Sequence, residues 1–326
     1  MNKIALIYMG GTFGCIGEPL APMPYDAFQP QLERILPPQY AVDCFKAPSI
    51  KDSSACTAAD WLLLVQQIQG LQLEGYTHFV VIHGTDTMSY ASATLARFLG
   101  QTCHVVITGS QYPLLNTAGD DTREFTDAIE NLYLALESVQ RLASGTYQAF
   151  HHQIFHGQTV LKTHTTELDA FSGVSADAPC DTVTNAMAVD AAMIARADEL
   201  AIVNLMHQPV RPVHLAQQLD NIAQRPPHFL ILQGFGTGNI AVNDAILAQF
   251  QQLRAQDCLV VLTTQVTFGK IDQRYAISDW VHCAGIATNT THGHADLYAK
   301  LLQLYLQYDN AEDWYRYWDI TTKAED

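Results

Sequence analysis

Two short apolar runs in the first third of the chain each stop at a glycine-threonine turn. Ile4-Ala5-Leu6-Ile7-Tyr8 leads into Gly10-Gly11-Thr12, and Phe79-Val80-Val81-Ile82 leads into His83-Gly84-Thr85-Asp86-Thr87. If both runs are strands of a parallel α/β sheet, their carboxyl ends mark the edge where ligands bind. Two hydroxyl groups delivered to that edge, one beside a carboxylate, point to acyl transfer.

The pattern continues as strand, turn and helix. Met88–Leu99 has helical composition, and Val105-Val106-Ile107 is another short strand, ending in Thr108-Gly109-Ser110-Gln111. Across Asp127–Leu142, the residues Ile129, Leu132, Tyr133, Leu136 and Val139 recur at three- and four-residue steps, the spacing of an amphipathic helix. Such units in series predict parallel pairing through right-handed crossovers. A second α/β set follows, with strands at Leu200–Leu205, Phe229–Leu232 and Cys258–Thr263. Its helices are expected near Val213–Gln224, Asn243–Ala255 and Asp296–Tyr308. Residues 176–198 lack a sustained period and read as a connection with room for a hairpin. The expected division is an N-terminal α/β catalytic domain over 1–175 and a C-terminal α/β domain over 199–326.

A length of 326 residues suits two domains, and 48% hydrophobic content predicts that the whole length folds. The formal charge of −16 argues against nucleic acid or an anionic membrane surface as partner, because both need a basic patch. Met1-Asn2-Lys3 enters the first strand directly, without the apolar segment of a signal peptide. No run approaches the ~18 consecutive apolar residues of a membrane span. The seven cysteines are scattered and form no C-x-x-C pair, which reads as reduced thiols in a cytoplasmic protein.

Thr12 follows two glycines that let the backbone turn tightly and approach a ligand. A threonine hydroxyl needs a neighbouring base or proton relay to act as a nucleophile. The same residues also suit a plain strand-end turn in which Thr12 bonds only backbone. In the second turn, Asp86 and Thr87 are positioned either to cap the following helix or to serve an anion site at its N-terminus. Thr57 and Asp60 fit a capping box, which leaves Ser53 and Ser54 just before it without a structural task. Lys162 has a mostly apolar approach in a chain with only 17 lysines and arginines; it is either a base or an ordinary surface charge.

Other signals carry less. Gly234-Phe235-Gly236-Thr237-Gly238-Asn239 follows a strand but lacks the G-x-G-x-x-G spacing of a dinucleotide loop. The histidines at 151, 152, 156, 164, 292 and 294 form no metal motif, and no G-x-S-x-G elbow is present.

Taken together, Met9-Gly10-Gly11-Thr12-Phe13-Gly14, Asp52-Ser53-Ser54, His83-Gly84-Thr85-Asp86-Thr87-Met88, Thr108-Gly109-Ser110-Gln111, Lys162-Thr163-His164 and Asp169-Ala170-Phe171 resemble the bacterial-type L-asparaginases. The order and spacing hold across most of the N-terminal domain, most like the cytoplasmic type I branch. The resemblance implies a larger N-terminal doubly wound, mostly parallel sheet domain and a smaller C-terminal α/β domain. It implies homodimers paired into a homotetramer, with the active site near the N/C domain interface of neighbouring subunits. The implied reaction is hydrolysis of L-asparagine, with L-glutamine as a second substrate, and needs no metal or organic cofactor. By position, Thr12 attacks the side-chain amide carbon. Thr85, Asp86 and Lys162 form a second cluster in which Lys162 eases proton movement, and the Thr85 N–H is an oxyanion donor. Ser53 holds the substrate α-carboxylate with Ser54 adjacent, Asp86 binds the α-ammonium, and Gly11 and Gly84 admit the substrate closely.

The sequence departs from the family in two places. The family carries a tyrosine on the loop after the first threonine, poised to take its proton. Here Leu20 falls near that position in an ungapped match, and Tyr25, slightly further on, is the candidate relay. The alternative is a hydrophobic lid in which Tyr25 packs. Near the C-terminus, Thr290-Thr291-His292-Gly293-His294-Ala295-Asp296 stands where type I members commonly carry a glutamate. Two other functions compete: an ammonia-supplying subunit of a tRNA-dependent amidotransferase, and a catalytically silent aspartate or asparagine binder.

Overall fold

The computed structural model describes residues 2–269, 271 and 279–318. Strand β1 (Ile4–Tyr8) is wholly buried and leads through a 3-10 turn at Thr12–Gly14 into a small hairpin, β2 (Cys15–Ile16) and β3 (Ala21–Pro22). Helix α1 (Tyr25–Arg34), strand β4 (Val42–Lys46) and helix α2 (Ala58–Leu73) follow. Then come β5 (His78–Ile82), α3 (Met88–Leu99), β6 (His104–Thr108), α4 (Ala128–Arg141), β7 (Gly145–Phe150) and β8 (Gln153–His156). The unit closes with the two-residue strands β9 (Leu161–Lys162) and β10 (Phe171–Ser172) and helix α5 (Ala191–Ala197).

The six-stranded sheet runs β4-β1-β5-β6-β7-β8, parallel throughout except for the final β7–β8 pair. From β1 the chain goes to β4 on one side, then returns past β1 to β5 on the other. The strand order therefore reverses between β1 and β5, and a doubly wound sheet opens its ligand crevice at such a point. Both glycine-threonine turns sit there. One core contains Leu6, Tyr8, Val80 and Ile82 from the sheet, Phe28 and Leu32 from α1, and Leu132, Leu136 and Val139 from α4. The predicted periodicity of Asp127–Leu142 thus corresponds to a real buried stripe on α4, although Tyr133 lies exposed beside it.

The second unit carries β11 (Ile202–Met206), α6 (Pro212–Ala223), β12 (Phe229–Gly234), α7 (Asp244–Ala255), β13 (Leu259–Thr264), α8 (Asp279–Cys283), β14 (Ala287–Thr288), α9 (His294–Gln307) and α10 (Ala311–Arg316). Its four strands are parallel in the order β11-β12-β13-β14. Leu215 and Leu219 of α6, Ile246 and Phe250 of α7, and Leu230 and Leu232 of β12 form its core. The chain is thus α/β throughout, with a larger N-terminal doubly wound, mostly parallel sheet and a smaller C-terminal α/β unit. The two compact units are Met1–Asp198 and Glu199–Asp326. The 176–198 stretch belongs to the first of them. Gln69 fastens it by donating to the Met187 carbonyl at 2.8 Å and accepting from the Val189 N–H at 3.0 Å.

Candidate active site

Gly10 and Gly11 both have positive φ, 101° and 88°. Gly11 combines its φ with ψ −177°, a region open essentially to glycine alone. A Cβ on Gly11 would lie 2.3 Å from the Gly84 Cα, and one on Gly84 would lie 2.5 Å from the Ser53 Oγ. Three separate sequence motifs thus touch through their smallest residues. Thr12 follows this contact as a half-buried residue opening the 3-10 turn, and Thr85 lies buried beyond it.

Lys162 reaches the second turn from β9. Its Nζ donates to the Thr85 Oγ1 at 2.9 Å and to the Asp86 Oδ1 at 3.0 Å. The lysine side chain is 19% exposed and the Asp86 side chain 62%, so the ion pair joins a sheltered end to a solvent-facing one. Because the ammonium only donates, the Thr85 oxygen accepts from it and keeps its own proton for another acceptor. That proton faces the Gln111 Oε1 at 3.5 Å, a contact loose enough to be exchanged for a bound substrate atom. Gln111 is itself oriented by donating to the carbonyls of Glu167 at 2.8 Å and Thr165 at 3.3 Å.

Ser53 and Ser54 part company. Ser53 is buried, and its carbonyl accepts from the Thr87 hydroxyl at 2.7 Å. Thr87 stands at the N-cap position of α3, but its hydroxyl bridges to the Ser53 loop and does not cap that helix. Ser54 is exposed, and both its N–H and its hydroxyl donate to Asp52, whose carboxyl these bonds hold below its usual range. The capping box forms: Asp60 accepts from the Thr57 N–H at 2.8 Å and pairs with Lys51 at 2.9 Å.

Tyr25 begins α1 in the apolar core. Its ring stacks on Tyr8 with centroids 5.8 Å apart, and its hydroxyl is buried without a hydrogen-bond partner among the described residues. Burial, with Cys44, Glu33 and Asp26 nearby, pushes the phenol up to about 12. Burial disfavours the phenolate of a tyrosine so placed, and this packing is the arrangement expected of the lid alternative.

Sequence reasoning did not assign roles to Asp127 and Asn131, which hold the Thr108–Gln111 loop. Asp127 accepts from the N–H groups of Gln111 at 3.0 Å and Tyr112 at 2.9 Å. Asn131 donates to the Gly109 carbonyl at 3.0 Å and to Asp127 at 2.9 Å. Their signal was a polar i,i+4 pair inside an otherwise apolar helical stripe. At the C-terminal segment, Asp296 accepts from the His292 N–H at 3.1 Å, which closes the start of α9. Among the described residues, no group of three or more His, Cys, Asp or Glu side chains is placed to hold a metal ion.

The family described as "Asparaginase, N-terminal" matches residues 3–194. L-asparaginase 1 of Escherichia coli strain K12 is 26% identical over 300 residues, covering 87% of this chain and 86% of that protein. The thermostable L-asparaginase from Thermococcus kodakarensis shares the fold with a TM-score of 0.78 at 23% identity, covering 99% of this chain and 97% of its own. L-asparaginase I from Vibrio cholerae gives a TM-score of 0.75 at 22% identity, over 99% and 98% of the two chains. Since the family match spans more than half of its length, this chain belongs to the asparaginase family.

Proposed function

We propose that the protein is an L-asparagine amidohydrolase, releasing L-aspartate and ammonia through an ester on Thr12. The Lys162–Thr85–Asp86 cluster beside the β1/β5 crevice carries this proposal. Thr12 attacks the amide carbon, and its proton reaches the departing nitrogen through the Thr85 hydroxyl, held by Lys162, so that the C–N bond breaks and ammonia leaves as the ester forms. Water then attacks the β-aspartyl ester. The buried Ser53 suits the α-carboxylate, while the Ser54 hydroxyl is engaged with Asp52. The exposed end of Asp86 suits the α-ammonium. Gly11 and Gly84, lacking side chains, let substrate lie against both backbones.

We place the enzyme in the cytoplasm as a homodimer or homotetramer. The likeness to L-asparaginase 1 of Escherichia coli supports this reading. Ammonia release from L-asparagine, L-glutamine and D-asparagine tests the activity. Thr12→Ala and Thr85→Ala are each expected to abolish nearly all turnover while the far-ultraviolet circular dichroism is retained. Full activity in either variant overturns the assigned roles.

A further inference from the structure

His83 is 1% exposed at the end of β5, one residue before Gly84, and does not contact the Lys162 cluster through any bond described above. Its two ring nitrogens are both engaged. Nδ1 lies 2.8 Å from the Gly84 carbonyl oxygen, and Nε2 lies 3.2 Å from the indole N–H of Trp61. A carbonyl only accepts and an indole N–H only donates. Both bonds are satisfied by one form alone, the neutral imidazole with its proton on Nδ1. Burial acts in the same direction, driving the histidine down to about 4 despite the Gly84 bond and the Asp60 charge.

The carbonyl that His83 grips belongs to the Gly84–Thr85 peptide. In a trans peptide the C=O and N–H point in opposite directions, so fixing the oxygen fixes the Thr85 N–H facing away from the imidazole. Thr85 is buried, yet among the described residues its N–H donates to no acceptor, whereas the His83 N–H is taken by Thr108 at 2.8 Å. Glycine at 84 removes the side-chain resistance to rotation of that peptide, so an external restraint is needed to hold it. Trp61 lies on α2, eight residues beyond Ser53, which joins this restraint to the element carrying the substrate-carboxylate serine.

We infer that His83 is a positioning residue: with Trp61 fixing its tautomer, it locks the Gly84–Thr85 peptide so that the Thr85 N–H is preorganised to receive the oxyanion formed at the substrate amide. This rests on the amidohydrolase proposal above. The histidine transfers no proton and touches no reacting atom. It prevents a peptide flip that would present a carbonyl in place of a donor.

The test compares His83→Leu, His83→Asn and His83→Gln with the unmodified protein. Asparagine Nδ2 falls near the place of the imidazole Nδ1, whereas glutamine Nε2 falls near that of the imidazole Nε2. His83→Leu is expected to lower kcat about 10²-fold, the scale of losing one oxyanion donor, with KM within about threefold. His83→Asn is expected to recover most of that loss and His83→Gln little of it. Nitrogen-15 chemical shifts of the unmodified protein are expected to show a protonated Nδ1 and a bare Nε2 from pH 6 to 8. This spectrum reads the lock without turnover, so it decides the case even where a variant fails to fold. Equal activity in all three variants, or an Nε2–H tautomer, overturns the inference. Absence of ammonia release from the unmodified protein instead overturns the amidohydrolase proposal.

Discussion

Gly11 and Gly84 meet backbone to backbone, so closely that a Cβ on Gly11 would stand 2.3 Å from the Gly84 Cα. Because β1 and β5 are neighbours in register, with Tyr8 opposite Ile82, the turns after them enter the crevice side by side. The contact sets how near Thr12 and Thr85 come to each other. Gly11→Ala is therefore expected to cost about 3 kcal/mol, combining a glycine-only conformation with overpacking against backbone that cannot yield. Urea unfolding measures the loss, and an unchanged midpoint would refute the close contact.

Lys162 and Thr85 act as one unit, joined at 2.9 Å. Lys162→Met removes the donor that holds the Thr85 oxygen, and Thr85→Val removes the hydroxyl it holds. Each is expected to lower kcat by about 10²–10⁴-fold, the range for loss of positioned proton transfer. The double variant should be hardly worse than either single one, because residues that act as a unit are not additive. Independent, multiplying losses would separate the two roles.

The twin turns, the capping box and the extent of α3 were legible because each is a local code: a glycine needed for φ, a cap three residues from its partner, an uninterrupted helical composition. The residues that hold the turns in place were less so. His83 reads as part of a motif, and only the fold puts the Trp61 indole, 22 positions earlier, against its ring. Thr87 is a fair helix cap by sequence and was diverted by a carbonyl 34 residues away. Asp127 looked like the start of a helix, and its carboxylate instead ties down two N–H groups of a loop after another strand. Local pattern specifies backbone; long-range polar pairing depends on which strands become neighbours.

Tyr25 separates the two accounts of the loop after Thr12. Its hydroxyl is buried and has no partner among the described residues, so removing it relieves a desolvated polar group. Tyr25→Phe is expected to keep kcat within about twofold and to hold or slightly raise the unfolding midpoint. A loss beyond about a hundredfold in kcat would restore Tyr25 as the proton acceptor and place this loop in motion during turnover.

Acid is expected to weaken the fold first through its buried histidines. His83 is held to about 4 when folded, against about 6.5 when unfolded, and burial and the adjacent His104 also lower His78. Across that interval the unfolded chain binds more protons than the folded one, so stability falls as pH falls. The His83 contribution, present in full above the unfolded value, declines by roughly 2–3 kcal/mol between pH 7 and 4.5. Asp43, Asp52 and Asp60, all lowered in the fold, lose their contributions only below the ordinary carboxylate value. Comparing urea midpoints at pH 7 and 4.5 isolates the histidines. His83→Asn has no imidazole to charge, so its midpoint should move much less over the same interval. An equal shift in both proteins would mean that His83 is not held neutral by its surroundings.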